Sequence, residues 1–259
     1  LVQDQVGPLF TVWGPMTLAT VMLLPFVVFE RNAETRNAAR PRKDIFVYLL
    51  LAVLGVFPAQ VLVTWGTRMS LASSAALLML ALPVTTALMA FVLLGERMTR
   101  IRWFSFALAI IGVVMCSEVD LGQVDFGRGY LVGNLLVFSG VLGSSFYNSY
   151  GKKLLRRYSP LEMLFLTYVA MLVLLTPLVL VQEANVFAEV GSFTRQTWIG
   201  LILLTFFHNY LSMVLFLKAL KHLDAIQAGL CNYLVTFFGV PIAALWLGER
   251  LSPLAVGGG

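Results

Sequence analysis

Runs of about twenty residues without an Asp, Glu, Lys or Arg recur along this chain, and twenty residues of α-helix is the length that crosses about 30 Å of hydrocarbon. Eight such runs are read, at about residues 6–29, 45–67, 69–94, 103–117, 130–150, 163–181, 198–217 and 225–247. Lipid offers no hydrogen bonds, so each run must satisfy its backbone internally as a helix. The composition agrees: 59% of residues are hydrophobic and 12% charged, against about 45–50% and 25% in soluble domains.

The short connections carry the charge. Arg31, Arg36, Arg40, Arg42, Lys43, Arg97, Arg100, Arg102, Lys152, Lys153, Arg156, Arg157, Lys218 and Lys221 fall on one side, and Arg68, Arg128, Arg195 and Arg250 on the other. Fourteen against four, alternating through every connection, places the rich side in the cytoplasm, because basic loops resist translocation. The expected location is the plasma (inner) membrane. The net charge of +5 is thereby a matter of topology, and no basic patch for nucleic acid remains. Cys116 and Cys231 sit inside apolar runs with neither metal nor redox spacing, so they read as small packing residues. No metal or other cofactor is expected. No signal peptide is read at Leu1, and the abrupt start suggests a truncated beginning.

An internal repeat organises the runs. Leu94-Gly95-Glu96-Arg97 and Leu247-Gly248-Glu249-Arg250 each close a long apolar helix, 153 residues apart. The same offset carries 163–181 onto 10–28, 198–217 onto 45–64 and 225–247 onto 72–94. The 130–150 helix has its counterpart upstream of Leu1, and the 103–117 helix has one beginning near Val256. The expectation is an all-α integral membrane protein of ten helices in 5+5 inverted repeats, with about eight complete here. Residues 1–117 form the first repeat, 118–129 a linker outside the cytoplasm, and 130–259 the second repeat. Five helices per half invert the second, and inverted halves can exchange shapes to give alternating access.

The residues that carry the repeat resemble the EamA-like transporters of the drug/metabolite transporter superfamily. The resemblance lies in a small-residue helix from Ser73-Ser74-Ala75-Ala76 through Pro83 to Leu94-Gly95-Glu96-Arg97 and on to Gly112. It recurs from Ala225 through Pro241 to Leu247-Gly248-Glu249-Arg250. Pro83 aligns with Thr236 and Pro241 with Leu88, so the halves differ. The resemblance implies a central cavity lined mainly by the third, fourth, eighth and ninth helices of ten, helped by the first and sixth. It does not imply a substrate.

Polar side chains at membrane depth need partners or water, which makes them cavity candidates. Thr205, His208, Asn209 and Ser212 share one helical face at i, i+3, i+4, i+7 spacing. Their repeat equivalents, Ala52, Gly55, Val56 and Ala59, are mostly small and leave open space opposite. Gln60, Thr64, Asn148, Asn232 and Tyr233 complete the expected substrate site, with Asn134 and Ser145 on the face of Asn148. Interhelical hydrogen bonding is the bland alternative for each, at about 0.6 kcal/mol. His208 stands out because imidazole changes charge near neutral pH. Arg68 and Lys221, at equivalent positions, are expected as gates for an anionic substrate, with Trp65 as a cap. Glu96 and Glu249 read as helix-end ion-pairing residues. Gly129/Gly133, Ser105/Ala109, Ala225/Gly229 and Gly239/Ala243 read as close-packing pairs, and Pro25, Pro58, Pro83, Pro177 and Pro241 as kinks.

The expected function is secondary transport of a small polar or amphipathic metabolite, as exporter, exchanger or facilitator. The lipid bilayer and a small-molecule substrate are the expected partners, and a homodimer is left open. A membrane receptor or accessory subunit is the alternative. A membrane enzyme would need a nucleophile elbow, a metal-binding His pair or clustered carboxylates, and the two histidines, His208 and His222, supply none of these.

Overall fold

Helix follows helix through residues 5–34, 44–116 and 129–233, the parts of the chain that the computed structural model describes, with no strand among them. Helix α1 is Pro8–Glu34 and α2 runs over Asp44–Arg68. Helix α3 comes in two pieces, Ala72–Met79 and Leu82–Leu94, and α4 is Arg100–Cys116. Helices α5 (Leu131–Leu155), α6 (Pro160–Gln182), α7 (Arg195–His222) and α8 (Ala225–Leu230) follow. The second Leu-Gly-Glu-Arg stretch, Thr236, Pro241, Trp246, the Gly239/Ala243 pair, Arg36, Arg40, Arg42, Lys43, Arg128 and most of the linker lie outside the described residues.

Capping side chains set several boundaries. Helix α6 begins at Pro160 rather than at 163, because Ser159 Oγ accepts the Glu162 N–H at 3.1 Å. That extension brings Glu162, only 7% exposed, inside a helix where the hydropathy pattern stopped short of it. Thr194 caps α7 in the same way, accepting from Thr197 N at 3.3 Å. Pro83 is realised as a break: residues 80–81 interrupt α3, and the Tyr233 hydroxyl donates to the freed Leu80 carbonyl at 3.1 Å. Leu80 and Tyr233 are 153 apart, so equivalent points of the two halves touch there.

Helices α1 and α6, which the repeat equates, pack antiparallel and cap one another. The Glu183 carboxylate just past α6 accepts from Leu9 N (3.0 Å) and Phe10 N (2.8 Å) at the start of α1. At the other end Glu30 accepts from Ser159 Oγ at 2.6 Å. Each carboxylate meets the positive end of the opposite helix dipole.

Among the described residues five helices are long and apolar enough to span a membrane, namely α1, α2, α3, α6 and α7. Helix α5 is not among them, since glycines, serines and asparagines dilute it. Its packing explains why: it lies along α2 and α3, and glycines bring the backbones together. A Cβ on Gly143 would stand 2.8 Å from the Gly55 carbonyl oxygen, and one on Gly66 would stand 2.7 Å from that of Gly133. Gly133 does pack closely, against Met69, but nothing lies within 4 Å of a Cβ on Gly129, so the expected Gly129/Gly133 pair is half realised. Asn134 and Ser145 of α5 serve this seam, with Ser70 Oγ to Asn134 Oδ1 at 2.5 Å and Thr85 to Ser145 hydroxyls at 2.6 Å.

Candidate substrate site

A cavity of about 280 Å³ opens between α1, α2 and α7. Gln60 and Thr64 of α2 face His208, Asn209 and Leu204 of α7 across it, with Thr11 and Val12 of α1 as the third wall. Both main walls have widened turns with i→i+5 bonding, at Ala52–Val56 and Pro58–Leu62 in α2 and at Leu204–Ser212 in α7. The repeat offset carries Ala52–Val56 onto 205–209, inside the α7 stretch. Such turns re-aim side chains that a regular helix would place elsewhere, and they cluster at functional sites.

Among the described residues no Asp, Glu, Lys or Arg lines the cavity. The Thr64 hydroxyl donates to Gln60 O at 2.6 Å and the Thr11 hydroxyl to Gly7 O at 2.7 Å. Asn209 Nδ2 donates to Leu204 O at 3.1 Å. With those protons committed, Thr11 and Thr64 offer oxygen lone pairs, while Asn209, which keeps its second amide proton, Gln60 and His208 can both donate and accept. The wall therefore suits a ligand that carries both donors and acceptors without net charge.

The other expected site residues are placed elsewhere. Thr205 is buried with its hydroxyl on Leu201 O (2.8 Å), whereas Ser212 is exposed, because the widened turns of α7 undo the i, i+3, i+4, i+7 face. Asn148 is buried in α5 outside the lining. Asn232 Nδ2 bonds Gly229 O (3.1 Å) within its own turn, and Tyr233 bridges to α3. The expected gates, Arg68 and Lys221 at opposite ends and Trp65, lie outside the cavity lining. Arg68 ties α2 to the Val6 carbonyl (3.0 Å), Lys221 is exposed in the last turn of α7, and Trp65 packs half-buried on the core. Thr11 had no sequence signal beyond being one polar residue in an apolar helix.

At the basic end an ionic network joins the loops. Lys152 Nζ donates to Glu96 Oε1 (3.0 Å) and to Leu223 O (2.7 Å), and Arg102 Nη2 pairs with Asp224 Oδ2 (2.5 Å). The Arg102 hydrogen bond, aided by the Lys152 charge and opposed by partial burial, holds the Asp224 carboxyl below its ordinary range. Glu96 also accepts from Ala225 N (3.0 Å) and Ile226 N (3.1 Å), capping α8. The end of α3 and the start of α8 are thus fastened together.

Comparison with known proteins gives a consistent picture. Residues 1–117 and 131–259 match the profile of the EamA-like transporter family. The chain is similar to a probable terminal-alkyne amino-acid exporter of Streptantibioticus cattleyicolor, 30% identical over 222 residues, covering 85% of this chain and 71% of that protein. It is also similar to an S-adenosylmethionine/S-adenosylhomocysteine transporter of Chlamydia muridarum, 23% identical over 96% of this chain and 79% of the relative. A solved crystal structure shares the fold with a TM-score of 0.78 at 15% identity, covering 98% of this chain and 86% of that one.

Proposed function

The chain belongs to the EamA-like transporter family, and from that premise we propose that it moves a zwitterionic metabolite with an amino-acid head group by alternating access. It is a multi-pass membrane transporter of a small metabolite, not an enzyme. The finer reading rests on the cavity, where Gln60 and Thr64 from one repeat meet His208 and Asn209 from the other. Both named relatives handle compounds containing an α-amino-acid group, which carries one positive and one negative charge at neutral pH. Lone pairs of Thr11, Thr64 and Asn209 would receive the ammonium, and Gln60 and His208 would donate to the carboxylate. An uncharged lining matches a ligand of zero net charge. Residues 1–117 and 130–259 act as the two moving repeats, with the basic loops in the cytoplasm of a plasma (inner) membrane. A homodimer is compatible with this arrangement.

The test is flux of radiolabelled methionine and leucine into proteoliposomes. His208→Ala and Gln60→Ala should each lower saturable uptake about 10-fold or more, the cost of a lost hydrogen bond to a charged group, at unchanged protein yield. Uptake equal to the parent in both variants would sink the assignment of this cavity.

A further inference from the structure

Beneath the cavity, toward the basic end, the core is lined with tyrosines. The Tyr168 hydroxyl donates to the backbone oxygen of Asn209 at 2.8 Å, so it touches a residue that lines the cavity. Tyr147 lies within electrostatic reach of Tyr168, and Tyr48 within that of Tyr147. Tyr48 in turn packs edge-on against Tyr158, ring centroids 5.5 Å apart, and the Tyr158 hydroxyl donates to Asp44 Oδ2 at 2.6 Å. Asp44 opens α2 at the basic end. A series of phenols therefore leads from the cavity to Asp44 at the basic end.

Two members of the column make no hydrogen bond of full geometry among the described residues, although Thr167 lies close enough to the Tyr147 hydroxyl to act on it. The hydroxyls of Tyr48 and Tyr147 are both buried, in residues 5% and 4% exposed. Thr167, beside Tyr147, gives its proton to Met163 O at 2.8 Å. A dry, unpaired hydroxyl is unfavourable, and native interiors leave very few. Phenylalanine would fill the same space without that cost. Gly55 lets Tyr147 in, since a Cβ there would stand 3.1 Å from Tyr147 Cβ. Alternating access gives a reason for hydroxyls that are idle in one state, because they would be used in the other.

We propose that this column is the closed half of the substrate path, and that the Tyr48 and Tyr147 hydroxyls bind the polar head group once the basic end opens. The proposal rests on the cavity being the substrate site. A phenol can donate to a carboxylate and accept from an ammonium, so it continues the mixed chemistry of the cavity. The segment between α2, α5 and α6 then acts as a plug in the present state and as a binding wall in the opposite one.

Two measurements test it together. Tyr48→Phe and Tyr147→Phe should raise the melting temperature of the purified protein by about 2–4 °C and slow methionine flux at least five-fold. A fall in melting temperature in both would mean that the hydroxyls are already bonded in this state, and would overturn the proposal, as would parental flux. In a Cys116→Ser, Cys231→Ser background, Tyr147→Cys should react with an impermeant trimethylammonium methanethiosulfonate applied from the basic side, and Gln60→Cys from the other side. Labelling of Gln60→Cys with none of Tyr147→Cys from either side would overturn the proposal alone. Absence of labelling at both would overturn the cavity reading with it.

Discussion

Gly95 has φ +70° at the end of α3, the left-handed turn that only glycine adopts without strain. The turn places Glu96, and Glu96 then serves two backbone N–H groups of α8 and the Lys152 ammonium. These two residues of the Leu-Gly-Glu-Arg stretch thus do different work. A Cβ at Gly95 meets nothing within 4 Å, so Gly95→Ala should cost only the backbone term, about 1 kcal/mol. Glu96→Ala leaves two helix N–H groups unserved and the largely buried Lys152 ammonium with only Leu223 O and the more distant Asp224, and should cost more, about 2–3 kcal/mol. Thermal unfolding in detergent ranks them; an equal or reversed order would mean that the Glu96 contacts contribute little. The Leu-Gly-Glu-Arg motif was visible in the sequence, and its partner helix was not, because 129 residues separate Glu96 from Ala225.

Helix α5 shows how an element can be read correctly and still be misjudged in character. Hydropathy alone makes it a weak span, yet it is the helix around which α2 and α3 pack, and its glycines replace lipid contact with backbone contact. Gly143→Ala should destabilise the protein by about 1–3 kcal/mol through overpacking, because its Cβ would stand 2.7 Å from Pro58 Cβ. Gly129→Ala should be neutral, and a comparable loss in both would contradict the packing described. Spacing of small residues marked Gly129 and Gly133 as a pair, but spacing does not say where a helix begins. Gly129 lies before α5 and meets nothing. Likewise the face of Thr205, His208, Asn209 and Ser212 assumed 3.6 residues per turn, and the widened turns of α7 kept only His208 and Asn209 at the cavity.

At the scale of the whole molecule the described contacts differ between the two ends. The repeat offset pairs Glu30 with Glu183 and makes α1 and α6 mutual caps, but it sets Leu71 against Asp224. Among the described residues the network of Glu96, Arg102, Lys152 and Asp224 holds the basic end. Within it the Lys152–Glu96 pair counts most, with side chains 16% and 12% exposed, while Asp224 at 45% is screened. Lys152→Ala should shift the population toward the state open at the basic end. Labelling of Gln60→Cys from the opposite side should then slow several-fold, since about 1.4 kcal/mol of bias is a ten-fold change in population. An unchanged rate would mean the network does not hold that end shut.

The sequence by itself determined that the chain is helical, membrane-spanning and internally repeated, because those properties follow from hydropathy, charge alternation and an offset that are all local or periodic. It also marked four of the cavity side chains, Gln60, Thr64, His208 and Asn209, since polar groups at membrane depth are conspicuous. Tertiary structure alone decided which polar residues meet. Tyr233 and Asn148 look no different from Gln60 until α3 breaks and α5 turns inward. Tyr48 and Tyr147 pass as ordinary aromatic residues of apolar helices until the packing of α2, α5 and α6 buries their hydroxyls without a hydrogen bond of full geometry among the described residues. Such isolation depends on contacts between helices far apart in the chain, and no local pattern carries it.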